Sequence, residues 1–237
     1  ENYTIAAYEF IKAYSLLKEN DKKYPDFFLN KKGLGLIHIL FGLIPSENQW
    51  LLNLVGFQGN IELGFDQMNQ ILNHSSTQLY HNEILFLVSL LHLNITHDND
   101  ISHKYLNQIG DKYSENILLN FAAARIAYKL GLNDYCITIL ENRPSKHLRM
   151  PVHYLDYLLG LANLYKLNYS KASEYLTKFV FEFKGKNYIK SAYQKLAWIS
   201  YLEGDIIEVD VNFSKVKKFG ATSIDVDKKA YKDAIHD

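Results

Sequence analysis

The sequence predicts an all-α protein, a right-handed α–α superhelix of helical hairpins in one continuous array. Three observations predict it. Apolar residues recur at helical spacing along almost all of the 237 residues. Proline and glycine are scarce, at four and twelve, and no run alternates with period two. In the C-terminal half, small residues and turn residues recur at the 37-residue offset that separates Gly160 from Ala197.

The helices follow in order. Residues 3–19 place Ile5, Tyr8, Ile11 or Lys12, Ser15 and Leu16 near one stripe, which Asn20-Asp21 and Pro25 break. Phe27–Ile44 is a second apolar helix that stops before Pro45, because proline disfavours helix in the residue before it. Ser46–Val55 makes a short helix with Ser46 available as a cap. Gly56 and Gly59 bracket a tight connection, and Ile61, Phe65, Met68 and Leu72 mark the next helix at spacings of four, three and four. Further helices are expected at about 77–94, 99–109, 115–130, 133–142, 151–166, 169–183, 188–203, 206–218 and 223–235. The links are short and polar, as at Gly131-Leu132-Asn133 and Lys184-Gly185-Lys186, which implies antiparallel neighbours.

Composition excludes several function classes. Hydrophobic residues make up 48% of the chain, enough for a core. The 26 basic and 26 acidic residues cancel, so no nucleic-acid partner is expected from net charge. Cys136 is the single cysteine, which rules out an intramolecular disulfide framework and a CxxC zinc module. No run reaches the ~18–20 apolar residues of a membrane span. The first residue is Glu1 rather than Met, so a trimmed start or a removed leader is expected. Cytoplasm and periplasm both suit one cysteine. Richness in lysine, asparagine and isoleucine points to an AT-rich, bacterial coding sequence.

The repeat carries most of the reading. Gly204-Asp205 aligns with Leu167-Asn168, and Leu196-Ala197 then falls beside Leu159-Gly160. Val209 falls beside Ala172, and Phe213 beside Leu176. A weaker third copy sets Gly131 against those turns, with Ala124 and Cys136 at the small positions and Leu140 at the following large one. Small residues let the two helices of a hairpin approach, and bulky ones fill the spaces between. In this register, Tyr157–Leu159–Gly160 with Ala172–Leu176, and Tyr193–Leu196–Ala197 with Phe213, resemble the tetratricopeptide pattern. Val209 departs from the usual second alanine, and the terminal proline is absent from both units.

In the N-terminal half, Gly33-Leu-Gly-Leu-Ile37, Leu43-Ile44-Pro45, Val55-Gly56-Phe57-Gln58-Gly59-Asn60 and Gly64 form an ordered set. A Gly-rich helix, a proline stop, a GF-x-G turn and a further glycine resemble the inclusion body clearance family of tetratricopeptide proteins. The expected organisation is one array. Residues 1–75 form divergent N-terminal helices, 76–222 tetratricopeptide-like hairpins, and 223–237 a capping helix. The cap's Asp225, Asp227, Lys228, Lys229, Lys232 and Asp233 are expected to make a polar outer face.

The resemblance implies an adaptor without enzymatic activity, and the residues offer no catalytic group, metal site or cofactor motif to oppose that. Gly33-x-Gly35 lacks the third glycine of a dinucleotide fingerprint and follows no strand, so close helix packing explains it better. His92, His97 and His103 have spacings of five and six, unlike ligands on one helix face. His147 and His153 flank a helix start. Cys136 reads as a small buried apolar residue. Asp98–Asp100 and Asp225–Asp227 read as charges near helix starts.

By analogy with tetratricopeptide arrays, the first helix of each hairpin lines a concave groove. The matching positions are Leu118, Phe121, Arg125 and Tyr128, then Tyr154, Tyr157, Leu161 and Tyr165, then Gln194, Trp198 and Tyr201. Aromatics of this kind offer stiff contact area with a polar tip. Arg125, alone on an apolar helix, needs solvent or a partner, and in a groove it would suit a peptide carboxylate. The competing reading has several of these side chains filling inter-helix space. The expected function is therefore a protein- or peptide-binding scaffold. The alternative is a small-molecule or lipid-binding factor with an apolar pocket in the N-terminal helices, near Phe41, Leu54 and Phe57. A third reading is a structural module of a larger chain.

Overall fold

Capping side chains and left-handed turns set several helix ends in the computed structural model, which describes residues 3–45, 47, 59–144 and 151–236. Apart from Glu47, the predicted helix Ser46–Val55 and its Gly56 turn lie outside the described residues. The described α-helices are α1 (Tyr3–Lys23), α2 (Asn30–Gly42), α3 (Ile61–Leu72), α4 (His81–Ile95), α5 (Asn99–Ile109), α6 (Ile117–Lys129), α7 (Asn133–Glu141), α8 (Tyr154–Tyr165), α9 (Tyr169–Glu182), α10 (Ile189–Leu202), α11 (Ile206–Lys218) and α12 (Asp225–His236). Short 3₁₀ turns precede α4 and follow α5. Asn60, Asn116 and Asp205 accept hydrogen bonds from the first free backbone N–H groups of α3, α6 and α11. The chain forms two compact units, Glu1–Asp98 and Asn99–Asp237.

In the first unit, α2 and α3 cross with their backbones nearly touching. A Cβ on Gly64 would stand 2.6 Å from the carbonyl oxygen of Gly35, and one on Gly35 would stand 2.9 Å from that of Gly64. The glycines near Gly33 therefore serve helix packing. Ile39, Met68, Ile71, Ile84, Leu85 and Val88 are fully buried around this crossing and along α4. Helix α1 differs from expectation in two ways. It runs through Asn20-Asp21 and ends at Lys23, two residues before Pro25, and Asn20 bonds the Asn30 side chain instead of breaking the helix. Its packed stripe is Tyr14 and Leu17, set against Ile37 and Phe41, while Tyr8, Ser15 and Leu16 are exposed. The second helix also starts later than Phe27, because Phe27 and Phe28 lie in the turn that follows Pro25.

In the second unit, α6–α7, α8–α9 and α10–α11 are three tightly packed antiparallel hairpins, consistent with a tetratricopeptide-like repeat. Their turns are copies of one another. Gly131, Leu167 and Gly204 all adopt left-handed backbone, with φ of 75°, 59° and 84°. In each, the next N–H reaches back five residues to close the helix: Leu132 to Ala127, Asn168 to Asn163, and Asp205 to Ser200, each at 2.9 Å. That is the Schellman geometry. The small positions also behave alike. Ala124, Cys136, Gly160, Ala172 and Ala197 are all buried. A Cβ on Gly160 would come 2.7 Å from Leu176 Cγ, and the Cys136 thiol contacts the Ala124 carbonyl at 3.4 Å. Val209 and Phe213 are only half-buried, unlike their counterparts Ala172 and Leu176.

Helix α12 continues the register. Ala234 stands 37 residues after Ala197 and is fully buried with Ala230 and Val216. Two charged side chains tie this end together. Asp227, fully buried, accepts from the N–H groups of Tyr188 at 2.6 Å and Ser191 at 2.9 Å, capping α10 from a distance. The Lys190 ammonium donates to the Val216 carbonyl at 2.6 Å and closes the C-terminus of α11. The expected polar outer face is thus corrected at two positions. Asp227 faces inward, and Asp233 accepts from Gln194 at 2.6 Å.

Candidate functional site

The first helices of the three hairpins, α6, α8 and α10, wall a pocket of about 400 Å³ together with the start of α12. Arg125, Tyr128, Tyr154, Tyr157, Leu161, Tyr165 and Gln194 all line it. The helical spacing that places them on one face explains this: Tyr154, Tyr157, Leu161 and Tyr165 are three and four residues apart. Phe121 packs behind the wall, with its ring 5.5 Å from Tyr154. Leu118, Trp198 and Tyr201 do not line the pocket. They are exposed, Tyr201 to 67%.

The pocket also recruits residues that the sequence reading passed over. Tyr188, at φ 67°, turns its ring to within 4.9 Å of Tyr154 and 5.2 Å of Tyr157. Ser191 shares a 2.8 Å hydrogen bond with the Tyr157 hydroxyl. Lys195 donates to Gln194 Oε1 at 2.8 Å and stands 3.5 Å over the Trp198 ring. Ile224, Asp225, Val226 and Lys229 complete the lining. Lys195 was legible in principle, one residue from Gln194. Lys229 was read on an outward face and was not.

Electrostatically the pocket is a neutral aromatic wall studded with cations. Burial pushes the Tyr128, Tyr154 and Tyr157 phenols upward; the Tyr165 neighbour adds to it at Tyr128, while Arg125 at Tyr154 and the Ser191 bond at Tyr157 oppose it. They are neutral donors at physiological pH. Arg125 donates to the Tyr154 hydroxyl at 2.5 Å, which orients both groups. Burial first, and the neighbouring Lys229 second, lower the Lys195 ammonium to about 8 against the pull of Asp233. Among the described residues, Arg125, Lys195 and Lys229 make no ion pair with a carboxylate, whereas Asp225 pairs with Lys228 at 3.0 Å.

A second group gathers at the other end of α8. His153, Asp156 and Glu182 bring their ligand atoms within 4.8 Å of one another. Asp156 already accepts from Arg143 at 2.6 Å and Lys178 at 3.3 Å, so its charge is matched by protein cations and the cluster is an ion-pair network. His92 lies buried with its ring stacked 3.7 Å from Phe65, a core role. Cys136 is buried too, and burial raises its thiol to about 12, which suits packing and not nucleophilic attack. Among the described residues, no helix is long and apolar enough to cross a membrane.

One comparison with known proteins bears on this arrangement. A family model described as Iml2/Tetratricopeptide repeat protein 39 matches residues 13–203, from α1 into the turn after α10. The match includes the Gly-rich helix α2, the α2–α3 crossing and two of the three left-handed turn positions, Gly131 and Leu167. It points to a helical-repeat scaffold of a generally non-catalytic type, engaged in protein interaction. Repeated hairpins, buried small positions and the extent of that match agree: the chain belongs to the Iml2/Tetratricopeptide repeat protein 39 family.

Proposed function

We propose that this protein is a non-enzymatic scaffold that holds a segment of a partner protein in the pocket between α6, α8, α10 and α12. The carrying observation is the pocket itself. Seven of the residues placed on a groove by repeat register meet around one 400 Å³ space, a size typical of ligand sites. Its walls are tyrosines, which lose little entropy on binding and present hydroxyls to a peptide backbone. Arg125 is held in place by Tyr154, so little ordering cost remains at the moment of binding. Phe121 supports the wall from behind, while Trp198 and Tyr201 offer exposed contact area further along α10.

The alternative apolar pocket near Phe41 is less supported. Phe41 is engaged against Ile37, and Leu54 and Phe57 lie outside the described residues.

A display selection with random octapeptides tests the proposal. Wild-type protein should enrich peptides that bind at micromolar Kd. Tyr165→Ala, at a site 61% exposed, should weaken them about tenfold with unchanged helicity. No enrichment, or peptides indifferent to Tyr165→Ala and to Tyr154→Phe, would overturn it.

A further inference from the structure

We infer that the segment held in this pocket is acidic, a stretch of extended peptide whose Asp or Glu side chains seat on Arg125 at one wall and on Lys195 and Lys229 at the other. The inference rests on the peptide-binding reading above and names its partner chemistry. Three cations line the pocket, from α6, α10 and α12, and none is ion-paired among the described residues. Of the carboxylates nearby, Asp225 pairs with Lys228, and Asp233 accepts from Gln194, its pull on Lys195 being outweighed by burial and Lys229. Arg125 and Lys195 are half-buried, and a half-buried cation held without an ion pair is costly unless a ligand supplies the charge. The crowding is visible at Lys195, whose charged form is disfavoured by burial and by Lys229. A bound carboxylate relieves both penalties.

The cations sit on three separate helices, α6, α10 and α12, so more than one carboxylate is matched. That favours a run of acidic side chains over a single chain terminus. The Tyr154 and Tyr157 phenols, kept neutral by burial, add hydrogen bonds to the same oxygens and repel none of them.

The test is fluorescence anisotropy on the full chain. Its probes are pools of labelled octapeptides that carry two Glu, two Gln or two Lys at fixed positions, each with a free or an amidated C-terminus. A single-stranded oligonucleotide of similar charge and inorganic phosphate serve as further arms. Two-Glu pools should bind at least tenfold more tightly than two-Gln pools, amidation should change little, and the advantage should shrink as salt rises from 50 to 300 mM. Lys229→Glu, at an exposed position, should reverse the order towards two-Lys pools. Equal or better binding of Gln or Lys pools by wild type overturns this inference but leaves the scaffold reading intact. Failure of every peptide pool overturns both. Dependence on a free terminus, or oligonucleotide binding as tight as the Glu pools, overturns the acidic side-chain assignment. If Lys229→Glu alters helicity, Lys229→Gln should still abolish the Glu advantage, and an unchanged preference would count against it.

Discussion

Leu167 shows what a repeat register demands of a single residue. Its two counterparts, Gly131 and Gly204, are glycines, and all three take left-handed backbone. An L-residue there costs roughly 1–2 kcal/mol, because its Cβ crowds the following carbonyl. Leu167 is 69% exposed and recovers little by burial. Leu167→Gly should therefore stabilise the protein by about 0.5–1 kcal/mol after the entropy that glycine adds to the unfolded chain. A melting midpoint that falls would show that the exposed leucine makes a contact worth more than the strain. Lys195 makes the second residue-scale case. Its folded value of about 8 lies below the ordinary 10.5. Between those two values the unfolded chain holds more protons than the folded one, so this residue's contribution to stability rises with pH across that window. Lys229 and Asp233 face it with opposite effects, and the buried tyrosines act in the reverse sense only above their ordinary range. Denaturant midpoints from pH 7.5 to 9.5 should climb less in Lys195→Met than in wild type, and parallel profiles would refute the assignment.

At the scale of the element, small side chains decide which helices pair. Ala172 is fully buried on α9, in the hairpin where Gly160 lets Leu176 approach. Ala172→Leu should overpack this hairpin and cost on the order of 1–3 kcal/mol. An unchanged midpoint would mean that the position is not a packing contact. Asp227 works across elements: one carboxylate supplies the cap that α10 lacks at its own left-handed Tyr188. Asp227→Ala strands two N–H groups and should cost about 2–4 kcal/mol. Asp227→Asn, which keeps one acceptor, should recover roughly half. Amide exchange at Tyr188 and Ser191 reports the cap directly and should quicken in Asp227→Ala while exchange in α2 does not. Much of this scale was legible in advance. Helices 99–109 and 206–218 run between the expected residues, because asparagine and aspartate caps and glycine turns are local signals. The α1 stripe was misplaced because Leu16 and Leu17 are adjacent and only tertiary contact chooses Leu17. Asp227 was misread because its partners lie 36 and 39 residues away, beyond any local pattern. Lys229 is invisible as a pocket residue for the same reason, since only the packing of α12 brings it to the pocket.

On the scale of the whole molecule, the pocket belongs to one of two compact units. All of its lining residues, from Arg125 to Lys229, fall within Asn99–Asp237. So do the groups that hold them: Tyr154 for Arg125, Ser191 for Tyr157 and Asp227 for the start of α10. In repeat proteins stability is close to a sum of unit and neighbour-interface terms, so removing distant units leaves local geometry in place. Residues 99–237 expressed alone should therefore remain helical and bind any peptide selected on the full chain with a Kd within about threefold. Any stabilisation that residues 1–98 provide should show instead as a lower melting midpoint. Two measurements on the fragment separate these effects, with titration well below its midpoint reporting the pocket and thermal melting reporting the array. A folded fragment whose affinity falls tenfold or more would place part of the binding surface in residues 1–98.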